Sequence, residues 1–229
     1  MIYFLYKMEE VGEKERKNEA FTGHKPIDID ILFAMRRTIC KIIVNNKGKI
    51  QYGTGFFMKV SDSKRYLITN YHVIDLDSLN EKIEIEIWNK RKFILNPNNF
   101  NVKYLKEPKD IMSLEIKELY DDFLDVGFLN YDKNYEDGYL IYKDADVFTI
   151  EHPLGKNASC SSGKIIDINE YEFDHNISTE PGSSGCPILL LNDNINLIKV
   201  IGIHKNGDKK NKINGGTFIG EIIKEIKCN

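Results

Sequence analysis

Ser178-Thr-Glu-Pro-Gly-Ser-Ser-Gly-Cys-Pro187, running straight into the apolar residues 188–191, is the stretch that decides how this 229-residue chain is read. Its core follows the pattern G-x-S-G-x-P, from Gly182 to Pro187, with Ser184 in the middle. A serine hydroxyl is a poor nucleophile until a base takes its proton and donors hold the oxyanion that follows. A glycine two places before Ser184 frees the backbone to turn, so that the N–H groups of Gly182 and Ser184 can aim at one point. The strand-to-helix elbow G-x-S-x-G does not fit, because the second residue after Ser184 is Cys186.

Outward from this stretch the chain reads as short strands. Residues 40–44, 50–60, 66–69 and 83–88 are β-branched and aromatic runs, the last alternating apolar and polar at period two. Residues 147–150, 163–166, 186–191 and 197–203 repeat the style, separated by Asn, Asp and Gly clusters, the spacing of a sandwich or barrel. Only residues 218–226 have helical spacing, with Ile219, Ile222, Ile223 and Ile226 on one face. The polar, Tyr-rich stretch 130–144 reads as a seam. The expected organisation is an arm over 1–35 (a solvated helix or loose segment), a first β unit over 36–130, and a second over 131–229 ending in a helix.

Composition narrows the function. Lys and Arg number 32 against 35 Asp and Glu, a near balance that argues against a nucleic-acid binder. A hydrophobic content of 41% is enough for a sizeable core and excludes an acidic disordered tail. The apolar opening, residues 1–6, stops at Lys7, too short for a signal-peptide core or a membrane span, so an intracellular, cytoplasmic protein without membrane partners is expected. Cys40, Cys160, Cys186 and Cys228 show no C-x-x-C spacing and read as free thiols; no metal site or cofactor is expected.

A base for Ser184 must come from five histidines. His72 sits in the run L-I-T-N-Y-H-V-I, residues 67–74, which follows Gly53-Thr-Gly-Phe-Phe57. These two segments and P-G-S-S-G-C-P-I, in that order, resemble the trypsin/chymotrypsin-like serine peptidases over about residues 40–218. The resemblance implies an all-β fold of two antiparallel six-stranded barrels with the site in the cleft between them. It implies a triad in which Ser184 attacks, His72 is the base and an Asp orients His72. Asp125, in D-V-G-F-L, has the closer local match; Asp110, in D-I-M-S-L, has the better spacing, 42 residues before His152 against 27 (152 − 110 and 152 − 125). Asp110 is taken, with Asp125 as the alternative.

The same resemblance bears on specificity. Six residues before the nucleophile, where trypsins carry the Asp that selects Lys or Arg, stands Ser178. The segment V-I-G-I-H, ending at His204, is similar to the glutamyl endopeptidase branch, which implies that His204 and Thr179 bind an acidic P1 side chain. Trypsins also place an Asp directly before the nucleophile to hold a newly cut amino terminus; here that residue is Ser183. The expected partner is therefore a peptide or protein substrate, paired as a strand beside residues 202–204. A catalytically silent peptide-binding module of the same fold is the rival reading. His24, His152 and His175 receive no role.

Overall fold

Period-two patterning and turn glycines lay down most of the chain as antiparallel ribbon. The computed structural model describes residues 26–46, 48–88, 91–96, 100–116, 126–192, 194–208 and 213–228. In the first unit, β1 (Ile39–Asn46) and β2 (Lys49–Lys59) form a hairpin whose turn uses Gly48 at φ +86, a left-handed conformation that costs glycine little. Then come β3 (Arg65–Thr69), β4 (Lys82–Ile87), β5 (Arg91–Leu95), β6 (Phe100–Leu105), β7 (Ile111–Ile116) and the short β8 (Leu129–Asn130). Their order in the sheet is β5-β4-β1-β2-β3-β7-β6, with β8 running parallel beside β2.

The second unit contains β9 (Asp146–Glu151), β10 (Ser159–Asn169), β11 (Glu172–His175), β12 (Pro187–Leu190), β13 (Val200–Asp208) and β14 (Ile213–Phe218). These close into a six-stranded barrel in the order β10-β11-β14-β13-β12-β9. The expectation of two six-stranded barrels is thus met by the second unit. The first is corrected to an eight-stranded sheet whose outer strands, β5 and β6, are not paired with each other among the described residues. That sheet still wraps one core, because Phe93 and Leu95 of β5 and Phe100 of β6 pack with Ile42, Phe57, Leu67 and Leu114.

A second, larger core joins the units: Phe56 and Met58 of the sheet pack with Phe148, Phe173 and Phe218 of the barrel. The end of the amino-terminal arm is not loose. α1 (Ile29–Met35) is capped by Asp28, whose side chain accepts the Asp30 N–H, and it buries Ile31 and Met35 in the joint core. Residues 1–25 lie outside the described part. α2 (Gly220–Lys227) presents the expected apolar face, with Ile222, Ile223 and Ile226 buried. The seam 130–144 forms two short 3₁₀ turns, and Tyr139 of the second stacks on Phe218 with ring centroids 4.1 Å apart. No helix among the described residues is long and apolar enough to cross a membrane. All four cysteines are free.

Candidate active site

The turns that carry His72 and Asp110 and the loop that carries Ser184 are built on the joint between the units. His72 sits in the turn that follows β3, and Asp110 immediately precedes β7, the strand paired with β3 through Thr69 and Met112. That register brings the two turns together. Asp110 is fully buried, and its carboxylate accepts the His72 backbone N–H at 2.9 Å and faces the ring Nδ1 at 2.6 Å. Asp110 takes φ +55, a conformation that Asp tolerates better than most residues. Its carbonyl accepts from Asn70 Nδ2 and Tyr71 N, which holds the two turns in one orientation. With Nδ1 engaged by the carboxylate, the proton sits there and Nε2 carries the lone pair. Asp125 lies outside the described residues.

Ser184 belongs to the loop between β11 and β12, pressed against β2 and β3. Thr54 N–H donates to Ser184 O at 2.9 Å, and Thr54 Oγ1 donates to Gly182 O at 2.8 Å. Gly185, at φ +90, leaves no room for a side chain: a Cβ there would stand 2.2 Å from Thr54 O and 2.3 Å from Thr69 Oγ1. The Ser184 loop is therefore fastened to β2 through Thr54 and lies against Thr69, the last residue of β3, three residues before His72. The Ser184 hydroxyl is turned toward the Lys205 carbonyl, 3.4 Å away.

The turn ahead of Ser184 is shaped to offer donors. Ser183 N–H donates to Glu180 O at 3.0 Å, closing a turn with Pro181 and Gly182 at its centre and Gly182 at φ +97. Pro181 O accepts from Leu154 N, so the trans Pro181–Gly182 peptide turns its N–H to the opposite side. Neither Gly182 N–H nor Ser184 N–H has an acceptor among the described residues. Two uncommitted donors flanking a serine can hold a negative oxygen. The ligand atoms of His72, Asp110 and the exposed Glu107 also lie within 4.8 Å of one another, a spacing open to a cation; Glu107 adds a second carboxylate beside the imidazole.

A family model, the trypsin-like peptidase domain, matches residues 53–203, the span that contains all of these elements. The chain belongs to that family. Its fold is similar to that of the Rv3671c protease from M. tuberculosis in its active form (18% identity, 84% of this chain and 80% of that one, TM-score 0.62). It is also similar to the serine endoprotease from Yersinia pestis (17% identity, 89% and 66%, TM-score 0.63) and to the HtrA-type protease AlgW with tripeptide (17% identity, 88% and 63%, TM-score 0.64). No curated protein matches.

Within this peptidase domain, the remaining residues expected from the sequence differ in placement. Ser178 is exposed and Thr179 half-buried, on a segment tied to β14 by Asn214 Nδ2 donating to Ile177 O at 2.6 Å. His204, on β13, is buried, and its backbone bridges to the Ser184 loop through Gly185 N–H and Cys186 O. Sequence reading gave no role to His175, yet its Nε2 lies 3.2 Å from His204 Nδ1, with the rings edge to face. His175 on β11 and His204 on β13 are separated by β14, which pairs with both, and two strands of one barrel can face each other inside it without any local sequence signal. Burial, and secondarily the His72 charge, pull His204 down to about 4; burial and His204 hold His175 well below the usual imidazole range. Thr54 was likewise missed as a clamp: its hydroxyl donates to Gly182 O and accepts the His152 N–H at 3.0 Å.

Proposed function

We propose that the chain is a serine endopeptidase working through Ser184, His72 and Asp110. The observation that carries this reading is the buried Asp110 carboxylate 2.6 Å from Nδ1 of an imidazole whose other face is open, with side-chain exposure of 41%. In this reading His72 Nε2 takes the Ser184 proton as the hydroxyl attacks the scissile carbonyl, and returns it to the leaving amine. Asp110 holds the ring in the useful tautomer and balances the imidazolium as it forms. The Gly182 and Ser184 N–H groups bind the tetrahedral oxyanion, where a preset donor is worth far more than in water. Residues 202–204 are already paired on both sides, with β12 and the Gly185–Cys186 backbone and with β14. The added substrate strand therefore runs instead beside the end of β13 past His204, with main-chain hydrogen bonds supplying much of the affinity.

The His175–His204 pair supports an acidic P1 residue. With His175 Nε2–H donating to His204 Nδ1, His204 keeps its proton on Nε2 and offers a neutral donor to a substrate carboxylate. Burial keeps both rings uncharged until an anion arrives. Thr179 and Ser178 would add hydroxyl donors. One observation favours the rival, a silent peptide-binding module: the Ser184 hydroxyl points to the Lys205 carbonyl. Reaction with a fluorophosphonate probe separates the two. The enzyme labels, and the label vanishes in Ser184→Ala; a folded wild type that never labels establishes the module. A peptide library then reads P1, and preference for Lys, Arg or aromatic residues would exclude the acidic pocket.

A further inference from the structure

Lys205 follows His204 on β13, and sequence reading gave it no part, yet its side chain is only 8% exposed. A lysine is buried to this degree only when it is paired. Its Nζ donates to Pro108 O at 2.8 Å, across the joint between the units, and also to the Glu172 carboxylate of β11. The register explains this aim. Between β13 and β14, His204 faces Gly216 and Asn206 faces Gly215, so Lys205 is the extra residue of a β-bulge. A bulge bends its strand and re-aims a side chain. The carbonyl of the same residue faces the Ser184 hydroxyl at 3.4 Å. Lys205 therefore meets the Ser184 loop with its backbone and the turn that leads into Asp110 with its side chain.

That turn needs holding. Asp110 sits at φ +55, a conformation that a non-glycine residue keeps only where its surroundings over-determine it. The Lys109 and Asp110 N–H groups both reach back to Lys106 O, at 3.1 and 3.2 Å. The carbonyls of residues 108, 109 and 110 each have a donor. Asn70 and Tyr71 of the first unit supply Asp110 O. The other two donors come from the barrel: Lys205 Nζ to Pro108 O, and the buried Thr217 of β14, whose Oγ1 donates to Lys109 O at 2.8 Å. Lys109 Nζ in turn pairs with the Glu221 carboxylate in the first turn of α2.

We propose that Lys205, seconded by Thr217, is a positioning residue that clamps the turn of residues 106–110 from the barrel and so keeps the Asp110 carboxylate against His72 Nδ1. The inference rests on the serine-peptidase reading of Ser184, His72 and Asp110. It makes the proposed triad depend on the joint between the units, since one unit carries the acid and the other holds its turn in place.

The test compares two variants with the wild type. Lys205→Met keeps an unbranched side chain and the β13 backbone, and Thr217→Val removes the hydroxyl at nearly constant volume. For each, kcat, KM, the fluorophosphonate labelling rate and the proton resonance of the His72 Nδ1–H are measured, with thermal unfolding as the check on folding. A short hydrogen bond to a carboxylate carries that resonance far downfield, and its loss in Asp110→Asn identifies it. Lys205→Met should lose about tenfold to a hundredfold in kcat with KM little changed, the cost of a misplaced catalytic group, and its resonance should move upfield as the carboxylate draws away. Thr217→Val should move the same way with a loss of about twofold to tenfold, the value of one neutral hydrogen bond. A kcat equal to the wild type in Lys205→Met, or a loss with the resonance unmoved, would overturn the assignment. If Lys205→Met does not fold, Thr217→Val decides by the same two readings. A wild type that labels while both variants match it defeats the clamp alone. A wild type that never labels defeats the peptidase reading, and the resonance still decides whether the barrel holds Asp110 to His72.

Discussion

Replacing Asp110 with Asn tests the proposed triad at its least exposed member. The amide keeps the side chain's size, tolerates the φ of +55, and leaves the backbone contacts to Asn70, Tyr71 and Lys106 intact. One acceptor oxygen can still take the His72 backbone N–H. The other position becomes an NH₂ group facing Nδ1 across 2.6 Å, so the ring must turn its lone pair to Nδ1 and carry its proton on Nε2, the atom required as the base. Restoring the useful tautomer forfeits a charge-assisted hydrogen bond, about 1.5 kcal/mol at the low end. The imidazolium formed during attack also loses its counter-charge, about 4 kcal/mol for unit charges 4 Å apart at an effective dielectric of 20. Together these amount to about 5.5 kcal/mol, or about 10⁴ in kcat, at about 1.4 kcal/mol per tenfold. Steady-state hydrolysis of a fluorogenic peptide measures kcat, the fluorophosphonate rate gives an independent reading, and the melting temperature controls for folding. A kcat within tenfold of the wild type, or an equal loss in Asp125→Asn with Asp110→Asn active, would refute the reasoning.

Three further outcomes are expected. Gly182→Ala places a Cβ 2.8 Å from His152 O at a backbone φ of +97; it should cut kcat by about 10² or more through a displaced donor, while thermal melting shifts by only the equivalent of about 1–3 kcal/mol. His204→Ala should lower kcat/KM for a Glu P1 substrate by about tenfold to a hundredfold relative to a Leu P1 substrate, the value of one or two hydrogen bonds to a charged group, and profiling both substrates checks the split. His204 and His175 are held below the usual imidazole range by burial, so the unfolded chain takes up protons first as pH drops below about 6.5. Stability should then fall with pH by about 1.4 kcal/mol per unit for each ring, down to the folded value of His204 near 4, and denaturant melts of wild type and His204→Gln across that window should show the variant's smaller slope.

Much of the architecture was legible because it depends on neighbours in the chain. β-branched and aromatic runs located β1 to β4 and most of the barrel strands, period two marked β4 among them, and the four isoleucines of residues 218–226 marked α2. Strands β5, β6, β11 and β14 carried weaker signals. Polar or glycine-rich runs such as 213–218 become strands only when a partner supplies the ladder; Gly216 and Gly202 are tolerated because the Phe173 ring fills their missing side-chain space, where a Cβ would come within 2.4 Å of it. The arm was misjudged at its end, because the apolar face of α1 finds a core built by residues far along the chain.

From the sequence alone came the residue types of the proposed chemistry and their order: a glycine-turned serine, a strand-end histidine and a choice of two aspartates. What local pattern could not provide was decided by long-range pairing. The antiparallel register of β3 on β7 puts Asp110 at His72, and β11, β14 and β13 bring His175 behind His204. Propensity and periodicity act over a few residues, whereas these contacts exist only once strands separated by tens of residues have closed on each other and buried a common core.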